Sequence, residues 1–318
     1  MKILTVCREI PEKSNIHNYK IAEFIFEQNE AVSKHGVTFD YYLIKKKGII
    51  GYLSHLKGLI KKIKSEKYDF IHAHGGHIGS LCNLQRMVPV ITSYRGSDIN
   101  TKRGFILSII SLKSSFFKIF VNRNMAKIAG VKSNFDIIPA GIDFSIFKPK
   151  IKVNCRKYFN WDLNKKIILF GGKKNVPVKN FSLAKDAISF LNQNIKIVEL
   201  NGFTREEVAI ALNACDCVLL TSFSEGSPNI IKEALACNRP IVSTDVGDVK
   251  ELSKGIDGVF ITDYTIESVA SSIKKAFGFS EINSREKVLF LEQGFLSNRL
   301  FNLYRNNLNK IKNEKIYL

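Results

Sequence analysis

The sequence has no apolar run approaching the roughly eighteen residues that a membrane-spanning helix requires. Proline is scarce, seven in 318 residues, and 45% of residues are apolar, which excludes a disordered or collagen-like chain. The six cysteines (Cys7, Cys82, Cys155, Cys215, Cys217, Cys237) include no Cys-x2-Cys pair, so reduced core residues are expected. Cys215-Asp216-Cys217 falls at a helix-to-strand junction, where packing is expected in place of metal or redox chemistry. Histidine ends at His77, so His72, His74 and His77 have no later partner to complete a zinc hydrolase set, and no metal site is expected. The opening Met1–Arg8 is too short for a signal peptide and meets a charge too soon. It reads as a first buried strand of a cytoplasmic protein.

Acid is also in short supply. Lys and Arg number 48 against 29 Asp and Glu, a formal charge of +19. Residues 1–150 carry 24 basic against 11 acidic residues, net +13; residues 151–318 carry 24 against 18, net +6. Such an excess favours nucleotide phosphates, nucleic acid or an anionic membrane surface. No nucleic-acid module or aromatic-basic platform appears, so nucleic acid is not an expected partner. The most basic stretch, Lys45–Lys67, repeats apolar residues at helical intervals (Ile49, Ile50, Leu53, Leu56, Leu59, Ile60, Ile63) with Lys57, Lys61, Lys62 and Lys64 around them. It reads either as a helix lying on anionic lipid or as a helix packed on its own sheet with a solvated basic side.

What is present is a regular alternation of strands and helices, long enough for two α/β domains. Strands are predicted at Val37–Ile44, Val88–Tyr94, Phe116–Asn122, Lys166–Phe170, Lys196–Leu200, Cys217–Leu220 and Ile241–Ser243, with helices between them, including Tyr19–Lys34 and Thr101–Ser115. Thr204-x-x-Glu207 is a capping box opening another helix. Pro149 and the charged Lys148–Arg156 place a hinge near Lys150. The domains are therefore expected at 1–150 and 151–296, with an amphipathic helix from about Ser297 closing the chain.

The stretch Ser222–Glu251 organises the rest. A buried strand leads into Ser-Glu-Gly-Ser-Pro, where Ser227 suits an N-cap and Pro228 the first helical position. The helix is predicted over about Pro228 to Cys237, stopping at Asn238-Arg239-Pro240. Its N-terminus suits a phosphate, because unpaired N–H groups there carry partial positive charge. Glu225 and Glu233, eight apart, either hold hydroxyls of a sugar and a ribose, or serve as one capping and one solvated acid.

Glu225-Gly226-Ser227-Pro228-Asn229-Ile230-Ile231-Lys232-Glu233-Ala234 resembles the Glu-x7-Glu signature of retaining glycosyltransferases of family 4. Arg239–Val242 and Val246–Glu251 resemble that family's next strand and Gly-containing loop, with Asp248 where a second Gly is common. The resemblance runs from about Met1 to Leu300. It implies a doubly wound α/β GT-B fold, two Rossmann-like domains facing each other across a cleft, the first for acceptor and the second for donor. The final helix is expected to pack back on the first domain.

On the donor side the resemblance implies a diphosphate clasp by Lys179 and Lys173 around Gly172, with Lys174 competing for the place of Lys173, and a nucleobase seat near Asn201, Gly202 and Phe203. It further implies contacts from Gly226, Ser227, Pro228, Asn229 and Ile230, with Glu225 on the transferred sugar and Glu233 on the ribose. On the acceptor side His74 and Arg95 match the family's cleft positions, Arg95 replacing the usual His of His-Gly-Ser-Asp. An arginine cannot shuttle protons at neutral pH, so it is expected to act as a positive charge that stabilises the leaving diphosphate or binds an anionic acceptor. Asp98 either binds a hydroxyl or caps the next turn. The loop Arg8–Asn18 lacks the family's common Gly-Gly pair. Glu225, Lys179, Arg95 and His74 are the residues expected at the chemistry, with no metal and no cofactor beyond the nucleotide-diphosphate sugar. The expected activity is hexosyl transfer to a glycan or lipid-linked acceptor in bacterial surface polysaccharide synthesis, at or near the inner membrane face. The other class to weigh is a nucleotide-sugar-binding scaffold without turnover.

Overall fold

The computed structural model describes residues 1–10, 21–46 and 48–314. The loop Arg8–Asn18, from residue 11 onward, Lys47 and the last four residues of the chain lie outside the described residues. The chain divides into two compact units, Met1–Gly141 with Gln293–Leu318, and Ile142–Glu292.

The first unit runs β1 (Lys2–Arg8), α1 (Glu23–Ser33), β2 (Thr38–Ile44), α2 (Gly48–Leu53), α3 (Leu56–Ser65), β3 (Phe70–His74), α4 (Gly76–Cys82), β4 (Val90–Tyr94), α5 (Ser97–Asn100), α6 (Lys102–Ser114), β5 (Phe117–Phe120), α7 (Arg123–Ile128) and β6 (Phe135–Ile137). Its six strands are parallel in the order β2-β1-β3-β4-β5-β6. The central strands β3 and β4 are buried throughout, as expected where helices cover both faces of a parallel sheet. The C-terminal helix Gln293–Glu314 joins this unit through Leu296, Leu300, Leu303 and Tyr304, which pack on Ile3, Val32, Phe70 and Ile91.

The second unit runs α8 (Lys152–Tyr158), β7 (Lys166–Phe170), a 3-10 turn (Pro177–Lys179), α9 (Phe181–Phe190), β8 (Ile195–Glu199), α10 (Arg205–Ala214), β9 (Cys217–Leu220), α11 (Asn229–Ala236), β10 (Ile241–Thr244), α12 (Val249–Leu252), β11 (Val259–Thr262) and α13 (Ile266–Ala276). Its five strands are also parallel, ordered β11-β10-β9-β7-β8. α10 opens on the predicted capping box, with both Thr204 and Glu207 bonds formed. α11 ends at Ala236, and Asn238 just beyond it, at φ 58°, takes the left-handed conformation that Asn tolerates and that stops a helix.

Four expectations are corrected. The units part after Gly141, before Lys150, because Ile142, Phe144 and Phe147 enter the second unit's core. Arg285 fixes them there, donating to the carbonyls of Phe144 and Phe147. The closing helix starts at Gln293, ahead of Ser297. Lys45–Lys67 forms two helices, broken at Ser54-His55. The Tyr42 hydroxyl donates to the His55 carbonyl, and the Lys45 N–H to the His55 ring. Finally, α11 begins at Asn229 with Pro228 as its N-cap, so Ser227 lies outside the helix and makes no cap.

Candidate functional site

In the second unit the loops after β7, β8, β9 and β10 gather at the carboxyl edge of the sheet, the edge where open α/β sheets bind ligands. Backbone and hydroxyl bonds stitch the first and third loops together: Phe223 N–H to the Val178 carbonyl, and the Thr221 hydroxyl to those of Lys179 and Asn180. Lys179 follows from this anchoring. Its stem lies over Gly172, where an added Cβ would come within 2.7 Å of it, so the loop needs glycine there. Its Nζ lies 2.5 Å from Glu225 Oε1, which also accepts from the Ser222 hydroxyl at 2.7 Å. Lys173 is exposed, while Lys174 lies over the Phe181 ring and donates its N–H to Glu199.

The Gly226–Pro228 turn leads into α11, and Gly247, at φ 62°, closes on it; a Cβ there would meet the Gly226 carbonyl at 2.4 Å. Asn229 and Ile230 form the first turn of the helix. Asp248, beside this turn, is nearly buried, and desolvation pushes its carboxyl up to about 6, against the pull of the Lys232 charge and the Ser227 hydroxyl. Glu233 is buried and paired with Arg205 at the start of α10, while Arg205 stacks on Phe147. Asn201 and Gly202 are exposed, and Phe203 is half-buried, stacked on Phe159 and through it on Trp161. Arg205 was missed in the sequence, although the capping box already set it on a first helical turn at this same edge.

In the first unit, His74 ends β3 and Arg95 follows β4. Arg95 Nη2 lies 3.1 Å from His74 Nδ1 and 3.2 Å from Gln28 Oε1, and its guanidinium covers the Phe24 ring. Burial lowers Arg95 to about 10, so it stays a cation at neutral pH, and holds His74 well below its usual value as a neutral ring. Asp98 clamps the loops: its oxygens accept from the N–H groups of Arg95, Gly96 and Gly76. His72, behind His74, sits between Tyr304 Oη at 2.6 Å and Ser93 Oγ at 2.7 Å. Gln28, on α1, also escaped the sequence reading; its spacing of four from Phe24 puts both on one helix face.

The three histidines do not converge, since His77 turns to the Tyr52 ring, and among the described residues no three His, Cys, Asp or Glu group as metal ligands do. The cysteines are free and buried, and burial pushes the Cys215 thiol up to about 12. Their neighbour Asp216 is taken by Arg156 and Lys152, which leaves Cys215-Asp216-Cys217 a packing element.

Two parallel-sheet α/β units of this construction are those of the GT-B fold. Comparison with known proteins agrees with that fold. Residues 160–278 match the family model "Glycosyl transferases group 1" and residues 14–133 the model "Glycosyl transferase 4-like", one in each unit. TuaC of Bacillus subtilis, assigned to teichuronic acid biosynthesis as a glycosyltransferase, is 25% identical over 237 residues, 65% of this chain and 61% of that protein. The chain thus matches less than two thirds of that relative's length. Among solved structures, a sucrose-phosphate synthase from Thermosynechococcus elongatus matches with a TM-score of 0.79 at 13% identity, covering 96% of this chain and 98% of that one. Anabaena HepE, solved with UDP and glucose, matches at TM-score 0.65 and 14% identity over the full length of both. These two likenesses concern the fold.

Proposed function

We propose that the protein is a retaining, family 4 glycosyltransferase that moves a hexose from a nucleotide-diphosphate sugar to a glycan or lipid-linked acceptor in surface polysaccharide synthesis. The observation that carries this reading is the meeting of Lys179, Glu225 and the start of α11 at one sheet edge. In the transfer, the bond from the anomeric carbon to the diphosphate breaks and a bond to an acceptor hydroxyl forms. The hydroxyl proton passes to the released diphosphate. Lys179 and the N–H groups opening α11 meet the charge that develops on that diphosphate, so the reaction proceeds without a metal. Lys173 reaches the same group from the exposed side of its loop. Glu225 holds the sugar, Glu233 the ribose, and Asn201 to Phe203 border the base. His74 and Arg95 serve the acceptor. That TuaC is assigned to teichuronic acid, a glycan polymer, supports the acceptor class.

Release of UDP or GDP from a panel of nucleotide sugars, with and without glycan and lipid-linked acceptors, tests the reading, and NMR of the product's anomeric configuration tests retention. Binding of a donor with no release under any condition would favour the scaffold without turnover. Failure to bind any nucleotide sugar would overturn both.

A further inference from the structure

We infer that Gln28, His74 and Arg95 form an oxyanion site that holds a carboxylate or phosphate group carried by the acceptor. The inference rests on the acceptor role proposed for the first unit and adds the chemical class of its substrate.

Among the described residues no carboxylate bonds the Arg95 guanidinium. Its Nη2 is occupied by two neutral groups, Gln28 Oε1 and His74 Nδ1, and its face by the Phe24 ring. The acid that most influences it, Asp98, is committed to three backbone N–H groups. A guanidinium withdrawn from water ordinarily has a paired carboxylate or phosphate, because desolvating it alone is costly. Here the protein supplies none among the described residues.

Three further atoms make the same demand. Arg95 Nε, Gln28 Nε2 and His74 Nε2 are all buried and have no hydrogen-bond partner among the described residues. All three are donors. Gln28 Nε2 is the amide nitrogen left over when Oε1 accepts from Arg95. His74 Nδ1 faces an arginine N–H, which can only donate, so the neutral ring carries its proton on Nε2. His74 is itself 7% exposed. The donors come from α1, the end of β3 and the loop after β4, three elements converging at one sheet edge. A neutral sugar hydroxyl both donates and accepts, and this cluster offers it no free acceptor. A carboxylate or phosphate only accepts at neutral pH, and its oxygens suit a fork of guanidinium and amide donors.

Calorimetry on the full chain without donor tests the site, with millimolar D-glucuronate, glucose 6-phosphate and glucose as probes. One of the two anionic sugars should bind and glucose should not; the anion that binds separates carboxylate from phosphate. Arg95→Gln should weaken that binding at least tenfold, and Arg95→Lys less. Gln28→Glu, which sets a fixed negative charge in the site, should abolish it and gives the reading if Arg95→Gln does not fold. Lys179→Ala should leave anion binding intact, and Arg95→Gln should leave nucleoside diphosphate binding intact, so failure here is distinct from failure of the donor site. Equal binding of glucose and the anions, no anion binding by the folded protein, or anion binding indifferent to Arg95→Gln and Gln28→Glu would overturn the inference.

Discussion

Arg205 Nη1 lies 2.5 Å from Glu233 Oε1, with Glu233 buried and the arginine resting on Phe147. The pair ties the start of α10 to α11, so Glu233 has a structural partner as well as a proposed ligand. Removing one member of a largely buried pair costs about 3 kcal/mol, because the other charge is left unpaired. Glu233→Ala and Arg205→Ala should therefore each destabilise the protein by about that amount in urea titrations, and the double variant by clearly less than their sum. Strict additivity would mean that the pair does not couple the two helices.

Lys179 is held by Glu225 in the structure, and a diphosphate would have to draw it away. Lys179→Ala should lose about 1.5–3 kcal/mol of nucleoside diphosphate binding, the worth of a charge-assisted bond. Glu225→Gln frees the lysine, so nucleoside diphosphate should bind more tightly while sugar transfer falls. Isothermal titration and initial rates check the two signs; unchanged affinity in both variants would remove Lys179 from the donor site.

The charge that meets the diphosphate is assigned to lysine and to a helix N-terminus, and turnover should accordingly be complete in excess EDTA. Activity lost in EDTA and restored by Mg2+ or Mn2+ would show that these groups do not suffice.

Much of this architecture was legible in the sequence for identifiable reasons. β7 and β9 fall where apolar runs between polar turns put them, and the Thr204 capping box forms as spelled. Glu225 and Lys179 meet because strand-helix alternation brings both loops to one edge. The break at His55 was hidden because it depends on Tyr42, a residue from β2 that no local pattern in Lys45–Lys67 reveals. Arg205, Gln28 and the burial of Glu233 were hidden for the same reason: each is defined by a partner distant in sequence. The unit boundary moved because Arg285, far along the chain, holds the carbonyls of Phe144 and Phe147.

Asp248 offers a test of stability that is independent of activity. Its folded pKa, about 6, lies above the unfolded value of about 3.9, so its contribution favours folding at low pH and is lost as pH rises through 6. Asp248→Asn lacks this loss. Its melting temperature relative to wild type should rise as pH goes from about 4 to about 6 and level off above that, the change centred near 5 and worth at most about 2–3 kcal/mol. A difference independent of pH would show that burial does not govern this carboxyl.

The basic flank of the first unit gives the last prediction. Among the described residues no helix is long and apolar enough to cross a membrane. α2 exposes Ile49, Ile50 and Leu53, with Ile50 at 86%, and α3 beside it exposes Lys57, Lys61 and Lys64. Lys62 is different: it pairs with Asp40 and Glu66, so it belongs to the packing of α3 and drops out of the four-lysine patch expected from sequence. Each free lysine near an anionic bilayer contributes about 1 kcal/mol, and the attraction fades over about 8 Å in physiological salt. Lys45 and Lys46 are exposed on the same flank and add to it. The protein should therefore sediment with phosphatidylglycerol vesicles, not with phosphatidylcholine alone, and high salt should release it. Replacing Lys57, Lys61 and Lys64 with Gln should weaken binding without lowering the melting temperature, whereas Lys62→Gln should affect stability more than binding. Equal sedimentation with neutral vesicles, or undiminished binding by the triple variant, would remove this flank as the electrostatic anchor.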